Sequence, residues 1–554
     1  MAEMILPGTF IEVRPEGLIV PGRVSVGNLG VVGTASKGEI GKPTILSGYT
    51  EARQKFGDYD PWLGGNSNEL TLNRALEQAF QHGATTVFAV RVAATGAEKA
   101  IYTLASASGN NVVLTAKTEG TWGNGLSVNV TDAEEHAFIE DEKHNGGNPI
   151  SLAKKPVKSA RNRIQLTTDA DGLTRSLQIF YKGDAGVPAP LGSGQVEVDP
   201  SNGDLRFATG EDPAAADTVT ASYLVDQGSA VKVTLSLGTA QEVYTVVDGK
   251  DLASDINDPD NGSNWVDAKT AANASELPSK SPSASDFASF SGGLNGEAAS
   301  PADYKNGLEK LLNEDVQIVL AAGQDDSFGD ELDAHSRQAS SDEFKRDRIA
   351  LVGSRLSASI DDLRGHSLNS DRVIFVAPGI RTTDAPSGQD VVLPGAYAAA
   401  AVAGLLSSFS PHISLTNKSL PVGGLEQRYT SGELKQLVLS RTLVLEERQG
   451  FRIVKGITTS TNTAWHQITT RRIVDFAKAG VRSAANPYIG LLNNERVRAA
   501  MQATINSFLQ EMVDDEMLIS YELAVTATRE EEIKGIARVT IVLRPTFSID
   551  FIKV

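Results

Sequence analysis

Leu72-Asn73-Arg74-Ala75-Leu76-Glu77-Gln78-Ala79-Phe80-Gln81-His82-Gly83 runs directly into Ala84-Thr85-Thr86-Val87-Phe88-Ala89-Val90-Arg91-Val92, and this handover decides the fold class. In the first segment Leu72, Ala75, Leu76, Ala79 and Phe80 recur at helical spacing, and Gly83 closes the helix. The second segment, from Thr85 on, is rich in β-formers and has too little polar alternation for a half-exposed strand, so a buried central strand is predicted. Upstream, residues 24–35 are rich in valine and glycine. Downstream the pattern returns after Ser300, an N-cap candidate before Pro301 and Asp303, with Tyr304, Leu308, Leu311 and Leu312 as the apolar stripe. Strands are predicted at 316–320, 349–352 and 373–377, alternating with helical segments, before an alanine-rich helix near 396–406. Alternation of this kind means an α/β core.

Between about 97 and 291 the texture changes to short strands broken by Gly, Pro, Asn and Asp, as in Gln195-Val196-Glu197-Val198-Asp199-Pro200-Ser201-Asn202-Gly203. This reads as one or two β-rich insertions, with 271–291 as the return linker. The last portion opens with a hairpin, 442–445 and 451–457 around Gly450. A long amphipathic helix follows over 493–515, with Val497, Met501, Ile505, Phe508, Leu509 and Met512 on one face. Two strands, 519–527 and 536–543, are joined by a charged loop and end in a tail, 546–554.

The chain has 554 residues, 40% hydrophobic and 22% charged, an ordinary folded composition that at this length favours two to four domains. A net charge of −18, from 51 Lys plus Arg against 69 Asp plus Glu, argues against nucleic acid as a partner, which needs clustered cations. The same charge makes assembly sensitive to salt. With no cysteine, disulfides, thiolate nucleophiles and zinc–sulfur sites are excluded. Met1-Ala2-Glu3-Met4-Ile5-Leu6-Pro7-Gly8 lacks the basic and apolar regions of a secretory signal, so synthesis in a bacterial cytoplasm without signal peptide is expected. The longest near-apolar stretch, 396–406, falls short of the ~20 residues that cross a bilayer.

No catalytic, cofactor or metal residue is assigned. Gly41-Lys42 is followed by Pro43 and lacks the earlier glycine of a phosphate loop. The seven histidines, at 82, 136, 144, 335, 366, 412 and 466, never fall three to five apart as a helical metal pair would. No Gly-x-Ser-x-Gly elbow occurs. The aspartate-glycine turns at 169–172 and 258–262 do not continue into a calcium loop. The glycines of 120–125 precede a strand rather than a helix, so a tight turn is expected there. Paired carboxylates such as Asp325 with Asp326, or Asp361 with Asp362, would be candidates for glycoside hydrolysis, but adjacent side chains point apart and make them poor ones.

Several local patterns then agree, in order along nearly the whole chain, with one family. Pro7-Gly8-Thr9-Phe10-Ile11-Glu12 resembles the opening Pro-Gly-Val-Tyr-x-Glu strand of contractile tail sheath proteins, with Thr9 in place of valine. Val31-Val32-Gly33-Thr34-Ala35-Ser36-Lys37-Gly38, then Pro43-Thr44-Ile45-Leu46 and Phe56-Gly57, are similar to segments that follow it there. The strand up to Arg91-Val92 fits the family's x-Val-x-Val-Arg-Val segment, and Gly120-Thr121-Trp122-Gly123-Asn124 its Gly-x-Trp-Gly-Asn turn. Phe290-Ser291-Gly292-Gly293-Leu294-Asn295-Gly296 with Asp303-Tyr304 resembles its Gly-Gly linker and next helix. Trp465-His466-Gln467-Ile468-Thr469-Thr470-Arg471-Arg472 resembles its Trp-x-x-Ile-x-x-Arg-Arg signature.

The resemblance implies a multidomain α/β (α+β) chain. Its parts are an N-terminal arm at 1–20, core segments at 21–96 and 292–440, and a β-rich outer insertion at 97–291. A tube-facing C-terminal domain at 441–545 and a C-terminal arm at 546–554 complete it. It implies a non-enzymatic subunit that stacks in hexameric rings around an inner tube and contracts, with itself, tube, baseplate and terminator proteins as partners, in a phage tail or injection particle. A baseplate or sheath-terminator role is the alternative. Thr9, Phe10, Ile11, Glu12 and Val13 would form one strand-donating arm, and Phe547, Ile549, Asp550, Phe551 and Ile552 the other, each alternating as a strand does. The acceptor sheet would carry Leu523, Val525, Val539, Ile541 and Leu543. Arg471, Arg472, Lys478, Arg482, Arg496 and Arg498 are candidate tube contacts, basic residues in an acidic protein.

Overall fold

The computed structural model describes residues 25–64 and 70–553. The chain divides into two compact units, one built from the segments before Gly96 and after Gly296, the other from Gly96–Gly296.

The first unit is organised on an eight-stranded sheet. Its strands are β1 (Leu29–Thr34), β2 (Pro43–Leu46), β3 (Val87–Val92), β4 (Ile318–Asp325), β5 (Ile349–Gly353), β6 (Val373–Ala377), β7 (Leu443–Glu447) and β8 (Phe451–Ile453), in the order β2-β3-β1-β4-β5-β6-β7-β8. The six inner strands are parallel, and β2 and β8 are antiparallel edges. All six residues of β3 are buried, as its unbroken apolar run requires of a strand covered on both faces. Val87 and Ala89 join one core with Leu29, Leu76 and the alanine-rich helix, while Phe88, Val90 and Val92 join the other with Tyr304, Leu308 and Phe375. The predicted strand at 316–320 begins later, at Ile318, and runs to Asp325; just before it, the Asn28 N–H donates to the Gln317 side chain at 2.9 Å.

Among the helices that cover this sheet are α1 (Leu72–Gln81), α2 (Pro301–Glu309) and α3 (Gly395–Ser407). Ser300 is the N-cap of α2 in a full capping box, the Ser300 N–H donating to the Asp303 carboxylate at 2.8 Å. α3 is apolar on nearly every side and buried accordingly. Its small residues let backbones touch: a Cβ on Gly404 would lie 2.2 Å from the Ala79 carbonyl oxygen of α1.

The inserted unit holds two β-rich cores, one around Leu114, Val128, Val233 and Leu235, the other around Val196, Leu205, Val219 and Tyr223. Its return segment is not a loose linker. Asn129 donates from its side-chain amide to the carbonyls of Ser283 and Asp286 at 3.0 and 2.8 Å, and Asn111 does the same to Asn273 and Glu276 at 2.9 and 2.8 Å. A buried amide must find partners, and here two of them pin the strand-poor segment in place. The glycine-rich turn at 121–125 is a short 3-10 helix, and Asn124 exchanges two 2.8 Å hydrogen bonds with Gly293. Two motifs about 170 residues apart in the chain therefore close on each other at the base of the insertion.

Candidate functional site

The C-terminal module is built from helices α4 (Ile468–Ala485) and α5 (Glu495–Asp514) and the strands β9 (Leu518–Thr526) and β10 (Arg538–Pro545). Asn494 caps α5, its side-chain oxygen accepting from the Val497 N–H at 2.9 Å. Met501, Ile505, Phe508, Leu509 and Met512 are buried at helical spacing, as the sequence predicts. Gly480 of α4 faces Phe508, whose ring atoms would lie as close as 1.8 Å to an added Cβ. Gly480→Val is therefore expected to lower stability by about 1–3 kcal/mol through overpacking. An unchanged urea midpoint would refute that contact.

β9 and β10 pair antiparallel, with Leu523 opposite Ile541, Val525 opposite Val539 and Tyr521 opposite Leu543. These side chains pack towards the core of the module. Tyr521 ties the ribbon to α5 through Asn506 at 2.8 Å. The intervening charged loop is partly a helix, Arg529–Ile533, because Thr528 and Glu531 form a capping box. All five residues of the expected acceptor sheet thus share one face. Among the described residues the ribbon has only these two strands, so both outer edges carry unpaired backbone groups.

The tail leaves β10 and lies on the body of its own chain. Beyond Thr546, no backbone-to-backbone hydrogen bond holds it among the described residues. Its anchor is Asp550, whose carboxylate accepts from Lys455 at 3.2 Å, Gln467 at 3.3 Å, Thr416 at 3.3 Å and Ser548 at 3.3 Å. The Ser548 N–H also donates to the Gln467 side chain at 3.3 Å. Phe547, Ile549 and Phe551 are 57%, 80% and 80% exposed, and the Phe551 ring centroid lies 5.4 Å from the Lys455 ammonium. Ile552, expected to alternate inward with Ser548 and Asp550, is exposed as well. The N-terminal candidates Thr9, Phe10, Ile11, Glu12 and Val13 lie outside the described residues.

The expected basic surface is corrected in part. Arg471 and Arg472 are both buried. Arg471 bonds Asp371 at 3.1 Å and Asp475 at 2.6 Å, and Arg472 donates to the carbonyls of Val26 and Phe409 at 3.0 and 2.9 Å. Burial pushes the Arg472 guanidinium down to about 10. Arg471, Asp475, Lys478 and Arg482 recur at helical spacing on one face of α4, and that face meets Asp347 and Arg372 just before β5 and β6. Asp347 is bonded by Lys478, by Arg482 at 2.6 Å and by Arg372 at 3.3 Å. Arg498 is held by Asn493 at 2.9 Å and Glu532 at 3.0 Å. Arg496 is exposed. Asp475 standing four residues after Arg471, and acidic residues directly before Arg348 and Arg372, were the sequence signals that these cations have partners within the chain.

The other polar candidates serve the fold. His82 sits between the carbonyls of Gln78 and Pro421 at 2.7 and 3.0 Å, and His366 bonds the Ser440 carbonyl at 2.7 Å. His335 is pushed down to about 3 by burial and then by the Arg348 charge. Asp325 accepts from the Ser327 N–H at 3.0 Å, and Asp362 caps the helix that starts after Ser359. Among the described residues no group of three or more His, Asp or Glu could hold a metal, and no helix is long and apolar enough to cross a membrane.

Residues 460–554 match the phage tail sheath C-terminal domain family, the segment that supplies α4, α5, the ribbon and the tail. The tail sheath protein of Staphylococcus phage Twort (strain DSM 17442 / HER 48) is 30% identical over 177 residues, which is 31% of this chain and 29% of that protein. The sheath tail protein of Desulfitobacterium hafniense has a TM-score of 0.58 at 14% identity, covering 97% of this chain and all of that one. That of Listeria innocua has the same score and identity, covering 96% and 97%. At such identity the structural likeness is one of fold alone. The resemblance to tail sheath proteins therefore holds in two respects: residues 460–554 match the phage tail sheath C-terminal domain family, and the chain has the fold of the sheath tail proteins.

Proposed function

We propose that this chain is the sheath subunit of a contractile tail or injection particle, a structural protein that polymerises in stacked hexameric rings around an inner tube and contracts to drive the tube through a target envelope. The observation that carries this reading is the C-terminal module: a ribbon that among the described residues has two strands and both edges open, beside a tail whose apolar side chains are exposed. Adding a strand from a neighbour to an open edge pairs backbone groups on both chains and lets the bodies move while the ladder persists. The tail 546–554 is one donor, and the segment of Thr9 to Val13 the other. Arg496, with the outer parts of Lys478 and Arg482, remains the candidate surface for an acidic inner tube. Individual screened pairs of this kind contribute ~0–1 kcal/mol, which suits a contact that must release. Baseplate and terminator proteins would bind the ends of the same assembly.

Negative-stain electron microscopy of the purified full chain over a range of salt tests the reading. Hollow tubes with a regular helical surface are expected, and deletion of 546–554 is expected to abolish them. Tubes that survive the deletion would keep the sheath and remove the tail as donor. Monodisperse particles under every condition, with co-expressed tube protein included, would favour a terminator or baseplate role.

A further inference from the structure

Lys154 and Asp248 form an ion pair inside the inserted unit, with side chains only 22% and 8% exposed. They come from its two different cores. Lys154 stands two residues after Leu152, which packs with Val196, Leu205 and Tyr223. Asp248 stands two residues after Val246, which packs with Leu114, Val128 and Val233.

Each partner is held in place by further groups. On the lysine side, the Ala153 N–H donates to the Glu142 carboxylate at 2.9 Å, and the Lys154 N–H donates to the Tyr223 hydroxyl at 3.0 Å. Tyr223 is fully buried and donates in turn to Glu142. On the aspartate side, Asp248 caps the helix Gly249–Ile256, its Oδ1 accepting from the Lys250 and Asp251 N–H groups at 2.9 Å each. The Lys154 ammonium is on the other oxygen, Oδ2.

One carboxylate therefore carries a primary amine on one oxygen and two backbone N–H groups on the other. Those N–H groups stand where negative charge would collect if the amine attacked Cγ, which is the arrangement of an oxyanion hole. The surroundings also disfavour charge. Burial pushes the neighbouring Asp251 carboxyl up to about 6, even though the Val247 N–H and the Lys154 charge pull it down. A neutral amide at this place avoids the desolvation cost that two enclosed charges carry.

We propose that Lys154 and Asp248 condense to an intramolecular isopeptide bond, which staples the two β-rich cores of the insertion to each other. Within the ion pair one proton passes from Nζ to Oδ2. The neutral amine attacks Cγ, and Oδ1 takes up the negative charge under the Lys250 and Asp251 N–H groups. A second Nζ proton follows to Oδ2, the Cγ–Oδ2 bond breaks, and one water leaves. The new Nζ–Cγ bond remains, with the third proton on the amide nitrogen. Fixing amine and carboxyl together turns a collision between two molecules into a step within one, which is what lets a condensation proceed in water. The inference is independent of the sheath reading, since it concerns the insertion alone.

Mass spectrometry of the purified full chain tests it. The intact mass is expected to lie one water below that of the sequence. Trypsin digestion after denaturation is expected to give a branched peptide, residues 144–158 joined to residues 233–250, because an acylated Lys154 is no longer cut. Lys154→Arg keeps the positive charge but removes the amine, and is expected to show no loss of water and two separate peptides. Separate, unmodified peptides from the folded wild-type chain overturn the proposal. So does a loss of water that persists in Lys154→Arg, because it would place the dehydration within Asp248 and Gly249 alone. The wild-type result depends on no variant's folding.

Discussion

Asp347→Ala is expected to destabilise the core unit by about 3 kcal/mol, the lower end of the cost of removing one partner from a buried ionic cluster. The Asp347 side chain is 3% exposed and lies among Lys478, Arg482 and Arg372. Truncation leaves three cations facing one another where α4 meets the starts of β5 and β6. Lys478 and Arg482 are 37% and 31% exposed, so both can turn towards water, which keeps the cost from the upper end. Arg372 retains Asp475 at 2.8 Å.

The effect has a defined pH dependence. Burial alone would raise the Asp347 carboxyl, but the hydrogen bond and charge of Lys478, followed by those of Arg482, outweigh it and hold the group below its ordinary 3.8. A carboxyl depressed in the folded state contributes stability above its unfolded value and loses it as pH falls through the folded one. The gap between wild type and Asp347→Ala, read as urea midpoints, is therefore full at pH 7 and narrows only below about pH 4. A gap independent of pH down to strongly acid conditions would contradict this account.

Gly404→Val is expected to cost about 3 kcal/mol, at the upper end of overpacking. The atom in the way is backbone, the Ala79 carbonyl oxygen 2.2 Å from the new Cβ, so no rotamer change relieves it and α3 must move off α1. The contrast with Gly480 is physical: there the obstacle is the Phe508 ring, which can swing at its own cost. Chemical unfolding of both variants should rank Gly404→Val as the more damaging, and the reverse order would show that the two helices separate more easily than the packing implies.

Much of the α/β core was legible because burial on both faces of a parallel strand leaves an unbroken apolar run, and residues 87–92, 349–352 and 373–377 carry such runs. The Ser300 cap and the face of α5 were legible for the same reason, since capping and helical spacing involve residues a few positions apart. The ribbon was readable as two strands, although its ends fall up to two residues from those expected. The charged loop between them hides a capped helix that only Thr528 and Glu531 betray.

What the sequence could not yield depends on pairs far apart in the chain. Arg471 and Arg472 look like surface charge until Asp371, Asp475 and the carbonyls of Val26 and Phe409 are brought to them. The 271–291 segment looks like a linker until Asn111 and Asn129 reach it. The tail reads as an alternating strand, and the sequence does show that one of its faces is apolar; that Asp550 anchors the other face to Lys455, Gln467 and Thr416 is a fact of tertiary structure. The sequence by itself determined the sheet's buried strands, the Ser300 cap and the amphipathic faces, because these follow from local spacing and the cost of exposing apolar surface. Only the tertiary structure decided which charges are buried and where the tail is held, because a charge or amide is satisfied by whatever partner the fold delivers, at a sequence distance that no local pattern encodes.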